Sequence, residues 1–232
     1  MPEILAIIPA RGGSKGIPRK NIKLLCGKPL LAYTADAALS SKYICRTILS
    51  TEDEEIASTG RALGLDVPFM RPVDLAQDNT PSLPVFQHAL NALLQTENYK
   101  SDIVVILQPT SPLRLTNHID EALEIFLNSD ADSLVSIVDV PHNMNPYSVM
   151  RLSSDGYLSN FIEYDELNNL RQLKPSFVAR NGAAIYICKA ENILKNGSLY
   201  GDKTLGYLMN RFESIDIDDE FDWYVAESIL RS

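Results

Sequence analysis

The chain has 232 residues, 22% of them charged and 45% hydrophobic, which is enough for one α/β domain with a generous core. Its net charge of −9 argues against nucleic acid and anionic membrane surfaces as partners, and no run approaches the roughly 18 apolar residues of a membrane span. Three scattered cysteines without a C-x-x-C, and an acidic, briefly apolar N-terminus that does not read as a signal peptide, make the cytoplasm the expected compartment.

The first element is a short, β-branched apolar run over 4–9, a buried strand ended by Pro9. It feeds a loop in which Gly12, Gly13 and Gly16 let backbone N–H groups approach an anion, and in which Arg11, Lys15, Arg19, Lys20 and Lys23 would neutralise a polyphosphate. Lys20 is expected to be exposed there. No glycine has the partners of a G-x-x-x-x-G-K-[ST] loop, and Pro18 argues against the immediate helix of a dinucleotide fingerprint, which weakens a dehydrogenase reading. Helix patterns follow at 29–39, 52–63, 82–95 and 117–127, alternating with strand patterns at 46–50, 67–70, 103–107 and 133–140. Asp78 to Ser82 reads as a turn that caps the third helix. This alternation predicts an α/β fold: a mainly parallel sheet flanked by helices on both faces.

From Pro141 to about Arg180 the pattern breaks into short runs rich in Pro, Asn, Tyr and Asp, an excursion expected to be a lid or dimerisation lobe. Strands are expected again at 183–188 and 212–217, then an amphipathic helix over 219–231; with no repeat or linker, 1–232 reads as one domain carrying a lobe at about 141–180. Gln108 falls at the C-terminal end of a central strand, where open α/β sheets bind ligands. Asp216 and Asp218, one residue apart at a strand end, would point to one side and suit a hard cation such as Mg²⁺, with Mn²⁺ a possible substitute. The competing reading is helix capping, equally favoured by the residues alone.

The loop I-P-A-R-G-G-S-K-G-I-P-R-K-N resembles the signature of the acylneuraminate cytidylyltransferases, and two later segments, Leu107 to Arg114 and Ser214 to Asp218, fit the same family in order. The resemblance implies a Rossmann-like nucleotidyltransferase sheet with a dimerisation lobe, and transfer of CMP from CTP to the anomeric hydroxyl of a nonulosonic acid, N-acetylneuraminate or a relative such as legionaminate. It implies nucleotide contacts from Arg11, Gly12, Gly13, Ser14, Lys15, Lys20 and Asn21, with Arg71 and Ser82 around the base. Arg11 and Lys20 would stabilise the leaving pyrophosphate, and Asp216 and Asp218 would hold magnesium. Gln108, Arg171, Gln172, Arg180 and Tyr186 would face the nine-carbon acid, and the protein would be a homodimer. Ser148 stands where the sialate enzymes carry a lysine, and Asn181-Gly-Ala-Ala-Ile-Tyr is one residue longer than N-G-A-I-Y, so the acceptor's identity stays open, with Kdo or another sugar acid as the nearest rival. A nucleotide-binding regulator without turnover is the rival from another class.

Overall fold

A computed structural model describes residues 2–162, 175–182 and 184–232. Strand β1 (Ile4–Pro9) leads through the glycine loop to a small hairpin, β2 (Leu24–Leu25) and β3 (Lys28–Pro29), and into helix α1 (Leu30–Leu39). There follow β4 (Arg46–Ser50), α2 (Glu54–Ala62), α3 (Ser82–Glu97), β5 (Ile103–Ile106), α4 (Thr116–Leu127) and β6 (Ser133–Asp139). The hairpin of β7 (Met150–Leu152) and β8 (Leu158–Asn160) stands apart, and β9 (Val178–Arg180), β10 (Tyr186–Lys189), α5 (Ala190–Leu194), β11 (Thr204–Leu208) and α6 (Glu220–Leu230) complete the chain.

The main sheet has the order β11-β6-β10-β5-β1-β4, with β9 also paired to β6. β1, β4 and β5 are parallel, as are β6 and β11, while β10 runs antiparallel between β5 and β6. Alternate residues of β1 serve opposite cores. Ile4, Ala6 and Ile8 pack with Leu31 and Ala35 of α1 and with Ile119 and Leu123 of α4, whereas Leu5 and Ile7 pack with Phe86, Leu90 and Leu93 of α3. The period of two in the strand thus puts a helix layer on each face. A third cluster, Ile17, Leu25, Leu30, Ile217, Trp223 and Ala226, fastens the glycine loop and α1 to α6. No helix among the described residues is long and apolar enough to cross a membrane.

Three expectations need correction. The segment 67–70 is not a strand: Pro68 offers no N–H to a ladder, and the strand-type pairing with β4 is a single Ile48–Asp66 bridge just before it. The segment 212–217 is not a strand: 211–214 form a turn and 215–217 run on without strand pairing, and the edge strand lies earlier, at β11. There Gly206 lies so close to β6 that a Cβ would come within 2.6 Å of Ile137. The turn at 78–82 does not cap α3 through a side chain: its N-cap is Pro81 and makes no such bond.

β9 and β10 run along the same edge of β6, opposite 137–139 and 133–135 respectively. Ser136 ties the chain between them to β6, accepting from the Ile185 N–H at 2.9 Å and donating to Asn181 Oδ1 at 2.6 Å. The Asn181-to-Tyr186 motif, with its added residue, therefore joins these two strands.

Candidate active site

A cleft of about 490 Å³ opens beyond the C-terminal ends of β1 and β5. One wall is the glycine loop, with Arg11, Ser14, Lys15, Lys20 and Asn21; the other is the 71–86 segment, with Arg71 and Ser82. Gln108, Pro109 and Thr110 form the floor and Asp218 reaches the rim. Nine of the side chains singled out from sequence as site contacts, together with Gly16 of the loop, therefore meet in one cavity. Gly12 and Gly13 belong to the loop without lining the cleft.

The loop is held from several sides. Asn21, buried, donates from Nδ2 to the Arg11 carbonyl at 2.9 Å and so cross-links the loop's two ends. Arg19 adopts a left-handed backbone (φ 55°) and turns its guanidinium onto Asp53 and Glu55 at the start of α2. That pairing holds the Asp53 carboxyl below its ordinary range, and the same carboxylate caps α2 by accepting from Glu55 and Ile56. Gly16 packs against the 216–219 segment so closely that a Cβ would overlap the Asp218 carbonyl at 2.1 Å.

Lys20 corrects an expectation, because it is not exposed: its side chain is 12% accessible and Nζ donates to the Ile217 carbonyl at 2.5 Å. Burial draws its pKa down, against the opposing pull of Asp218, Asp216 and Asp222. Arg71 is also buried, with Nε on Ser50 Oγ at 3.1 Å and Nη2 on the Ser50 carbonyl. Burial pulls its guanidinium down to about 10, Glu52 opposes the fall and Arg11 adds to it, so it keeps its charge at neutral pH.

The two aspartates differ in setting. Asp218 is open, its side chain 83% accessible, with Oδ1 3.9 Å from Lys20 Nζ. Asp216 is largely enclosed: burial raises its pKa, a hydrogen bond with Thr110 counters this, and the Asp218 charge adds to the rise. Its Oδ1 is buried without a hydrogen-bond partner. On the other side Gly182 (φ 71°) leaves room for the carboxylate; a Cβ there would lie 2.3 Å from Asp216 Oδ2. Neither aspartate caps α6. Asp219 accepts from Phe221 and Asp222, and Asp222 returns bonds to the Asp218 and Asp219 amides.

Of the acceptor-side residues that are described, Gln108 is on the cleft floor, and Arg180 and Tyr186 do not line the cleft. Arg180 and Tyr186 sit on β9 and β10, where Arg180 Nη1 donates to Tyr200 Oη at 2.7 Å and Tyr200 donates to Tyr186 Oη at 3.3 Å. Burial lifts the Tyr186 phenol to about 12. Arg171 and Gln172 lie outside the described residues. Sequence reasoning missed three contributors: Tyr200, Asp78, which pairs with two loop cations, and Arg114, which is fully buried beneath the floor. A tyrosine or an aspartate in a turn carries no periodic signal, and Arg114 was visible only as the end of a motif.

Fold comparison shows that the chain shares the fold of cytidylyltransferases of known structure. It superposes on the structure of CMP:2-keto-3-deoxy-manno-octonic acid synthetase complexed with CTP with a TM-score of 0.72 and 16% identity, over 99% of this chain and 98% of that one. A 4-diphosphocytidyl-2C-methyl-D-erythritol synthase from Anaerococcus prevotii gives a TM-score of 0.65 at 14% identity, over 100% of this chain and 97% of that one. In sequence, the family model for cytidylyltransferases matches residues 5–183, and the chain belongs to that family. It is 36% identical to CMP-N,N'-diacetyllegionaminic acid synthase of Legionella pneumophila, over 98% of this chain and 96% of that protein. It is 34% identical to N-acylneuraminate cytidylyltransferase of Escherichia coli over 98% of its own length, and spans about half (52%) of that longer relative.

Proposed function

We propose that this chain transfers CMP from CTP to the anomeric hydroxyl of a nonulosonic acid, N-acetylneuraminate or a relative such as legionaminate, and releases pyrophosphate. The observation that carries the reading is one cleft lined by four cations, Arg11, Lys15, Lys20 and Arg71, together with Gln108 on its floor and Asp218 at its rim. The names of the relatives supply the acceptor class: one makes a CMP-legionaminate derivative and one is a cytidylyltransferase for N-acylneuraminate.

The acceptor hydroxyl oxygen attacks the α-phosphorus, the α–β bridging P–O bond breaks, the hydroxyl proton is lost, and the electron pair leaves on pyrophosphate. Arg11, Lys15 and Lys20 bind the phosphate oxygens and stabilise the charge that grows on the leaving group. Buried Arg71 and Ser82 hold the base, and Gln108 orients the sugar acid against the reacting phosphorus. The partnerless oxygen of Asp216, together with the open Asp218 carboxylate, fits a hard divalent cation. Bound there, Mg²⁺ or Mn²⁺ would neutralise phosphate oxygens. The exposed apolar side chains of the lobe support assembly into a homodimer.

An acceptor panel tests the reading. Pyrophosphate release from CTP is measured with N-acetylneuraminate, legionaminate, pseudaminate or Kdo, and with no acceptor. Release that needs a nine-carbon acid is expected. Release with Kdo alone moves the activity to an eight-carbon acceptor, and CTP binding without release under any condition makes the protein a nucleotide sensor.

A further inference from the structure

Asp78 holds the two loop cations that the proposed function assigns to the triphosphate. Its Oδ1 lies 3.1 Å from Arg11 Nη1 and its Oδ2 lies 3.0 Å from Lys15 Nζ, so each carboxylate oxygen takes one cation. The neighbouring Gln77 carbonyl accepts from the same Arg11 nitrogen at 3.1 Å. The turn that presents them is itself built. Thr80 N–H donates to the Gln77 carbonyl at 3.1 Å, Thr80 Oγ1 donates to the Asp74 carbonyl at 3.1 Å, and Gln77 Nε2 donates to the Val73 carbonyl at 2.9 Å. A second carboxylate does the same to the loop backbone: the Gly12 N–H donates to Glu52 Oε1 at 2.6 Å. Acids thus meet the loop's anion-recognising groups on both the side-chain and the main-chain side.

We propose that Asp78 is a built-in competitor for the phosphate chain: its carboxylate and a nucleotide phosphate use the same two cations in alternation. The inference rests on the reading of the cleft as a triphosphate site. Its consequence is selection by charge. The Asp78 side chain is 48% accessible and Lys15 is 76% accessible, so the pairs are of the weak, solvent-screened kind. A triphosphate brings several charges to the loop together and displaces one carboxylate. Orthophosphate, which can engage only part of the loop, gains too little to do so. After transfer the carboxylate retakes Arg11 and Lys15, and it thereby helps pyrophosphate to leave. Lys15 and Arg11 keep the Asp78 carboxyl below its usual range, so it stays ionised and able to compete at neutral pH.

Calorimetric titration of the full chain tests this with CTP, inorganic pyrophosphate, orthophosphate and cytidine, comparing wild type with Asp78→Asn and Asp74→Asn. Asp74 is exposed in the same segment and removes the same charge without being an ion-pair partner of the loop. Asp78→Asn is expected to bind CTP and pyrophosphate about three- to tenfold more tightly, the worth of two exposed ion pairs. Cytidine affinity stays unchanged, and Asp74→Asn behaves as wild type. Unchanged or weaker pyrophosphate binding by Asp78→Asn overturns the proposal, and equal tightening by Asp74→Asn assigns the effect to the general field and overturns it too. CTP binding by wild type with no gain in Asp78→Asn sinks the competitor and keeps the nucleotide site. CTP ignored by every protein while Asp78→Asn gains pyrophosphate affinity sinks the nucleotide site and keeps the competitor. Silence in all titrations removes both.

Discussion

Asp218 and Asp219 are neighbours with separate jobs, and the separation makes a metal role testable. Asp219 caps α6 and Asp222 closes the box, so the Asp218 carboxylate is spared from capping. Asp218→Asn is therefore expected to melt within about 1 °C of wild type, since a surface substitution away from caps and core shifts stability little. It should lose at least about 10²-fold in turnover, with partial rescue by excess Mg²⁺ or Mn²⁺, because an amide replaces one of two carboxylates offered to a hard cation. Undiminished turnover across a metal titration would remove Asp218 from the metal site. Lys20→Ala predicts a different pattern. Turnover should fall by about 10² or more through loss of a preorganised charge. Stability should fall too, because the Ile217 carbonyl loses Nζ and the enclosed Asp216 carboxyl loses a cation that favours its charged form. A folded Lys20→Ala protein with near-normal turnover at saturating CTP would refute the assignment. Residue chemistry near the loop was legible in the sequence because glycines and clustered cations are rare together in an acidic chain. The burial of Lys20 was not legible: it depends on the 216–218 segment ahead of α6 returning, 197 residues later, to bind it.

At the scale of elements, the floor of the cleft is organised from behind by Arg114. This guanidinium is 1% exposed and finds no carboxylate among its hydrogen-bond partners in the described residues. Instead Nη1 donates to the Gln108 and Ala184 carbonyls at 3.2 and 2.8 Å, and Nη2 donates to Thr34 Oγ1 at 2.6 Å. Burial pulls its pKa down to about 9, still above neutrality. One side chain thus joins the end of β5, Ala184 ahead of β10 and α1, and the floor connects onward through the Ile217 N–H donating to the Thr110 carbonyl at 2.8 Å. Thr34→Val keeps the shape but removes the acceptor of a charged donor, and is expected to cost about 2 kcal/mol in urea unfolding. Thr34→Ser keeps the oxygen and should cost about 1 kcal/mol for the lost methyl. Equal stability of the valine variant and wild type would show that the bond carries no weight. The β1, β4 and β5 strands and the α1 to α4 helices were legible because their apolar periods are long and unbroken. β11 was not, since Gly206 reads as a strand breaker until Ile137 is seen pressing on it. Nor was the unpaired state of 212–217, whose alternating side chains look like a strand although its one ladder-like bond goes to a loop carbonyl.

For the whole molecule, both faces of the main sheet are sealed by helices, while no described element covers the β7–β8 hairpin. Leu152 and Leu158 are directly paired across the hairpin yet 71% and 62% exposed, and Tyr157, next to Leu158, and Met150, on the same strand as Leu152, are 75% and 47% exposed. Large apolar side chains massed on one projection mark an interaction surface rather than a monomer's ordinary scatter. A second copy of the chain is the partner that the proposed homodimer supplies. A two-fold axis would use each contact twice, so one leucine buried per protomer contributes on the order of 3–6 kcal/mol to the pair. The chain is therefore expected to sediment as a dimer at micromolar concentration. Replacing the pair with Leu152→Asp and Leu158→Asp should give a monomer, because four carboxylates would be brought together without partners at the same surface. The fold of the main sheet should persist in that monomer, since neither leucine belongs to its three buried clusters. If the lobe also helps close the acceptor site, the monomer's KM for the sugar acid should rise while its affinity for CTP stays within about twofold of wild type, because the described cleft takes its cations from one chain. Sedimentation of the wild-type chain as a monomer with full acceptor-dependent turnover would show that the lobe's apolar face serves some other contact. A monomeric variant with an unchanged acceptor KM would keep the dimer and confine the lobe to assembly.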